Sequence, residues 1–190
     1  MACNLATGRT EPCKQYIGGI DELYLMRWSD VDYDSIVGLN SVSLEAPIFI
    51  KKGGGNIDAY KFDLKGINSF ESTSTVSQET AGVVFDQSIT VTLKGLDDSS
   101  SDLFYDIITD KTIAFVKDRN SNNAYFFGAF NGMTNNGVFS SGQAAADLNG
   151  VTFTMTGQER HQYKTLEDAN SYILSTKNIV VSASQISPTV

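Results

Sequence analysis

The sequence predicts a mainly β fold with one flanking α-helix, and three observations predict it. Apolar and polar residues alternate with a period of two in "AYKFDLKG", "VVFDQSITVTLKG" and "VTFTMTGQE". The period changes clearly to helical spacing in one stretch, "SSSDLFYDIITD". Of 190 residues, 41% are hydrophobic and 19% charged, the balance of a folded domain and too apolar for a disordered chain. That length suits one sizeable core, with an N-terminal arm over residues 1–18, a β domain over 19–160 and a C-terminal extension over 161–190.

After the polar opening "MACNLATGRTEPCKQ", the run "GIDELYLMRW" reads as the first strand, with Leu23 and Leu25 on one face and Tyr24, Met26 and Trp28 on the other. Both faces therefore expect some cover. The segment Ser29 to Gly55 holds short β-prone pieces broken by Pro47, and "KKGGGN", with Lys51, Lys52, Gly53, Gly54 and Gly55, has the composition of an exposed, flexible loop tip. In "IDAYKFDLKG", Tyr60, Phe62 and Leu64 alternate with Lys61, Asp63 and Lys65, which predicts a strand with one buried face. "NSFESTSTVSQ" continues as a hydroxyl-rich strand around Phe70 and Val76, and the next run sets Val83, Phe85, Ile89, Val91 and Leu93 against Asp86, Ser88, Thr90, Thr92 and Lys94.

The helix is expected over about residues 99–110. Leu103, Phe104, Ile107 and Ile108 form its apolar side, Ser99 stands three residues before Asp102 as in a capping box, and acidic residues crowd its positive end. These four residues are its packing and assembly candidates. "KTIAFVKD" and "NAYFFGAF", joined by the polar turn "RNSNN", read as a hairpin, so the helix can cover an open end or face of the sheet. "NGMTNNGVFSSGQAAADLNG" reads as a long loop with a short strand near Val138 and Phe139, and Val151, Phe153 and Met155 mark the closing strand. In the tail, "KTLEDANSYIL" reads as a short capped helix and "NIVVSASQI" as a strand without a local partner, a hint of pairing with another subunit.

A net charge of −8 argues against gripping phosphate backbones, which needs clustered Lys and Arg. No apolar run reaches the roughly 18 residues of a spanning helix, and the N-terminus lacks a signal-peptide core, so synthesis in the cytosol is expected. Cys3 and Cys13 read as reduced, packed residues of the arm. Zinc would need two more ligands, and the single histidine, His161, is distant in sequence.

Little else carries chemistry. His161 has no serine or cysteine in a nucleophile-elbow setting, and "GGGNIDAYK" lacks the spacing of a phosphate-binding loop. Asp30, Asp32 and Asp34 alternate as at the start of a calcium loop, but Ser35 stands where that loop needs Gly and Ser41 where it needs the bidentate Glu. A solvated acidic turn is the simpler reading of all three. Carboxylates are plentiful, yet the aromatics fall on core faces rather than in a cleft, so neither catalysis nor a cofactor is expected.

The order of elements, together with "MACNLATGRTEPCK", "AYKFDLKG", "SFESTSTVSQETAGVVFDQSITVTLKGLD", "SSDLFYDIITDKTIAFVKDRNSNNAYFFGAFNGM" and "GVTFTMTGQE", resembles the bacteriophage tail tube proteins and the related type VI secretion tube protein. The resemblance covers roughly Met1 to Glu159 and rests on a pattern of elements rather than a short motif. It implies a β-sandwich or partly open barrel with a flanking helix, whose subunits join sheets edge to edge into rings, six-fold in that family, that stack into a tube. The chain would then be a virion tail protein, partnered by itself and by other tail proteins, with DNA passing an acidic lumen unbound. The glycine loop and the N-terminal arm would match segments that order against the next ring. The alternatives are another virion component (tail terminator, head-tail connector or decoration protein) and a carbohydrate-binding β-sandwich with Trp28, Tyr24 and Tyr33 as its platform. Symmetry separates them, because a tube subunit must associate with itself through two different surfaces.

Overall fold

The computed structural model describes residues 17–32, 51–64, 66–76, 82–95, 98–120, 124–144, 147–162, 164–166 and 179–181. In chain order they form β1 (Ile20–Arg27), β2 (Ile57–Asp63), β3 (Ser69–Val76), β4 (Val83–Lys94), α1 (Asp98–Thr109), β5 (Thr112–Asp118), β6 (Ala124–Phe127), β7 (Thr134–Ser140), β8 (Gly150–Glu159), β9 (Lys164–Leu166) and β10 (Ile179–Val181). Two sheets result, one of six strands in the order β10-β2-β1-β5-β6-β9 and one of four in the order β3-β4-β8-β7. All pairings are antiparallel except β10 on β2.

The period of two decides how the sheets meet. Leu23, Leu25, Ala114, Val116 and Phe127 of the larger sheet face Ile89, Val91, Val151, Phe153 and Met155 of the smaller one in a shared buried core, so the architecture is a sandwich. On one flank Phe70 of β3 lies over Tyr125 and Phe127 of β6, with ring centroids 5.1 and 5.3 Å apart. Near β7, α1 inserts Phe104 and Ile107 into the same core. Arg27 at the end of β1 faces Asp106 and Asp110 of this region at 4.0 and 3.7 Å. The second face of the larger sheet is apolar too: Tyr24, Met26, Ile57, Ala59, Ile113, Phe115, Ala124 and Phe126 are buried there. Both faces of β1 are thus covered, as its two apolar faces predict.

Several expectations change. Tyr60 is 41% exposed, and β2 buries Ile57 and Ala59 on one face while Phe62 packs against the shared core on the other. As an inner strand of a sheet apolar on both sides, β2 does not have one buried face. The expected loop around Val138 contains the full strand β7 from Thr134. Its Asn and Gly residues serve long-range contacts: Asn135 is buried and bonded, and Gly137 leaves space that Ile108 and Phe153 fill, since a Cβ there would meet them at 2.9 and 3.1 Å. In the tail, Lys164–Leu166 is a strand on β6 rather than the start of a helix, and Ile179–Val181 has a partner within the chain, pairing in parallel with β2. The rest of both tail segments lies outside the described residues. The helix begins at Asp98, which places Ser99 inside the first turn rather than at the cap.

Candidate assembly surfaces

A strand at the end of a sheet offers a row of backbone donors and acceptors to another chain. Among the described residues, β3 and β7 end the smaller sheet, and they differ in character. β3 is polar and largely exposed, with Glu71, Thr73, Ser74 and Thr75 toward solvent, but the hairpin it forms with β4 carries exposed Val76, Val83 and Val84 at its far end. β7 exposes Val138 (68%) and Phe139 (51%), and Tyr105 of α1 is also exposed. Register places these patches at opposite ends of the sheet: Val76 is opposite Val83, whereas Val138 is opposite Thr152, itself opposite Thr92.

The helix residues singled out from sequence come together on one side of α1. Phe104 and Ile107 are buried, Leu103 and Ile108 are partly buried against the same core, and Phe104 stacks edge-on with Phe153 at 5.3 Å. Their packing role follows directly from the helical spacing.

The glycine loop is an exposed turn. Gly53, Gly54 and Gly55 take φ of 83°, 86° and 97°, a run of left-handed conformations that side chains with a Cβ resist. Its base is fastened: Lys51 bridges Val31, the Lys52 N–H donates to the Asp30 carbonyl at 3.0 Å, and the Gly54 N–H donates to the Lys51 carbonyl at 2.9 Å. The start of the described chain is also tied, since Asn120 donates to the Ile17 carbonyl and accepts its N–H at 2.6 and 2.7 Å.

Asp30 lies in a short 3-10 turn and Asp32 follows Val31, while Asp34, Tyr33, Cys3 and Cys13 lie outside the described residues. Among the described residues no group of three or more His, Cys, Asp and Glu could hold a metal ion. The proposed sugar platform fails on two of its members. Tyr24 is buried with its hydroxyl on Glu22, and Trp28 packs against the core, donates from Nε1 to the Phe130 carbonyl at 3.1 Å and is covered by Lys111. An open trough of about 670 Å³ crosses the outer face of the smaller sheet, where Glu71, Asp86, Ser88, Thr156 and Gln158 line up across strands. Both Asp86 oxygens are engaged, by Thr75 and Gln158.

The least expected feature is a polar connection between the sheets. From β6 the chain crosses to β7 through Gly128–Met133, and two side chains of the smaller sheet hold that crossover. Gln87 accepts the Gly128 N–H at 2.9 Å, and Glu159 Oε1 accepts the N–H groups of Phe130 and Asn131 at 3.0 and 2.9 Å. On the far side Asn135 donates to the carbonyls of Ile107 and Asp110 and accepts from the Thr112 hydroxyl, capping the end of α1. All three polar residues are buried on faces that are otherwise apolar. Of the three only Gln87 interrupts an apolar alternation, falling between Phe85 and Ile89, whereas Glu159 lies at the polar end of its strand and Asn135 in a run of loop-like residues. His161, just past β8, is exposed with its ring 5.8 Å from that of Phe130.

No family model, no curated protein and no solved structure matches this chain. Among the described residues no helix is long and apolar enough to cross a membrane.

Proposed function

We propose that the chain is a structural virion subunit, a phage tail tube protein that assembles with itself into stacked rings and forms a conduit for DNA ejection. The observation that carries this reading is that, among the described residues, the smaller sheet ends in two dissimilar strands, β3 and β7, with exposed apolar residues at opposite corners. Two different surfaces on one subunit are what heterologous, repeating association requires. The sandwich with a helix tucked beside β7 also agrees with the resemblance, and a net charge of −8 suits a channel through which DNA slides without sticking. Further partners would be other tail proteins, and the site of action the virion tail.

Negative-stain electron microscopy of the purified chain, with its mass from light scattering, tests the reading. Rings or stacked tubes are expected, and a stable monomer at high concentration would overturn it. Ile107→Asp places a carboxylate at a buried, 8% exposed position and should cost more than about 4 kcal/mol, unfolding or dissociating the protein, whereas Asp30→Ala and His161→Ala should leave assembly unchanged. Normally assembled Ile107→Asp particles would contradict the placement of the helix.

A further inference from the structure

We propose that Glu159 is a proton-operated clasp that sets how readily the crossover between the two sheets opens, closing it more firmly in mild acid than at neutral pH. This inference is independent of the assembly reading. Its basis is geometric: the side chain is 3% exposed, one oxygen takes two backbone N–H groups of the crossover, and the second oxygen, also buried, has no hydrogen-bond partner among the described residues. A carboxylate in that state is costly to keep ionised, because burial removes the water that would solvate the free oxygen.

The charged groups facing it do not offset that cost. Among the described residues they are Arg160, next in the chain, and Lys111, whose Nζ is already committed to the Asn131 carbonyl at 3.0 Å and the face of Trp28. The crossover Gly128–Met133 contains no titratable side chain, Phe85 stands directly opposite on β4, and neighbouring Gln87 is neutral. Burial therefore pushes the Glu159 carboxyl above its ordinary value of 4.5, outweighing the pull of the Asn131 and Phe130 N–H groups and of the two cations.

The direction follows from linkage. When the crossover opens, Glu159 regains water and its ordinary affinity for protons, while closed it holds a proton more tightly. Closure is thus favoured fully below pH 4.5 and loses that contribution as pH rises through the higher value of the closed state. Within this window one proton changes the opening equilibrium by up to about tenfold per pH unit.

Amide hydrogen exchange read by NMR at Phe130 and Asn131, expressed as protection relative to the intrinsic rate at each pH, tests the clasp. Protection should rise as pH is lowered from neutral to 4.5, and the rise should vanish in Glu159→Gln, which keeps an acceptor but cannot titrate. It should persist in His161→Ala, since the exposed His161 ring lies 5.8 Å from that of Phe130 and makes no part of the clasp. A flat wild-type profile, a rise that survives Glu159→Gln, or one abolished by His161→Ala would overturn the proposal. A carbon-13 titration of the Glu159 carboxyl in the wild type decides the matter even where the Gln variant does not fold: a midpoint at or below 4.5 refutes it, and one above supports it.

Discussion

Glu22 and Glu159 are both carboxylates on faces from which water is largely withdrawn, yet their surroundings drive them in opposite directions. On the outer face of the larger sheet, Glu22 has a side chain 20% exposed and receives Lys61 Nζ at 2.7 Å and the Tyr24 hydroxyl at 2.9 Å, with Lys117 Nζ at 3.8 Å. Burial alone would raise its pKa, but the Lys61 and Tyr24 hydrogen bonds and the two lysine charges outweigh it and hold Glu22 below 4.5. Glu159 has comparable hydrogen bonds and deeper burial but, among the described residues, no ion pair, and the balance reverses. The partner's charge, more than the number of hydrogen bonds, separates a carboxylate that stabilises the fold at neutral pH from one that burdens it.

The larger expected effect lies at the crossover. Glu159→Ala leaves the N–H groups of Phe130 and Asn131 without their acceptor, and a buried donor left unsatisfied costs about 1–3 kcal/mol. Removing a poorly solvated charge returns part of this, so a net loss of about 2 kcal/mol in urea unfolding is expected at neutral pH. A variant as stable as wild type would mean that Glu159 closes nothing, and the contrast with Glu22 would reduce to burial alone.

The same comparison shows what the sequence makes legible. Ile89, Val91 and Leu93 and the partner set Val151, Phe153 and Met155 were readable as inward faces, because a strand with one covered side writes its burial into a period of two. The helix side of Phe104 and Ile107 was readable for the same reason at a different period. Glu159 was not. Its partners come from a turn 28 and 29 residues away, and nothing local distinguishes a buried polar residue from the polar end of a strand. β7 was hidden because Asn135 and Gly137, which look like loop residues, answer to helix carbonyls and to Ile108 rather than to their own neighbours. The parallel pairing of Ile179–Val181 with Ile57–Ala59 joins segments more than a hundred positions apart, which no periodicity records.

The smaller effect belongs to Glu22, and it should carry the opposite pH signature. Glu22 lies directly across the strands from Lys117, and Tyr24 lies across from Lys61, so its ion pairs are built by register rather than by long flexible reach. Glu22→Gln keeps the shape and removes the charge, and for a partly exposed pair the expected loss is about 1 kcal/mol at pH 7. Because the folded value is lowered, the stability Glu22 supplies is present above its unfolded pKa, near 4.5, and is lost as pH falls through the folded value. The gap between wild type and Glu22→Gln in thermal unfolding should therefore shrink below about pH 4.5, over the acid side where the Glu159 contribution is already complete. A gap that instead widened in acid would mean that the lysines are not what holds Glu22 charged, and that the two carboxylates respond to one environment rather than two.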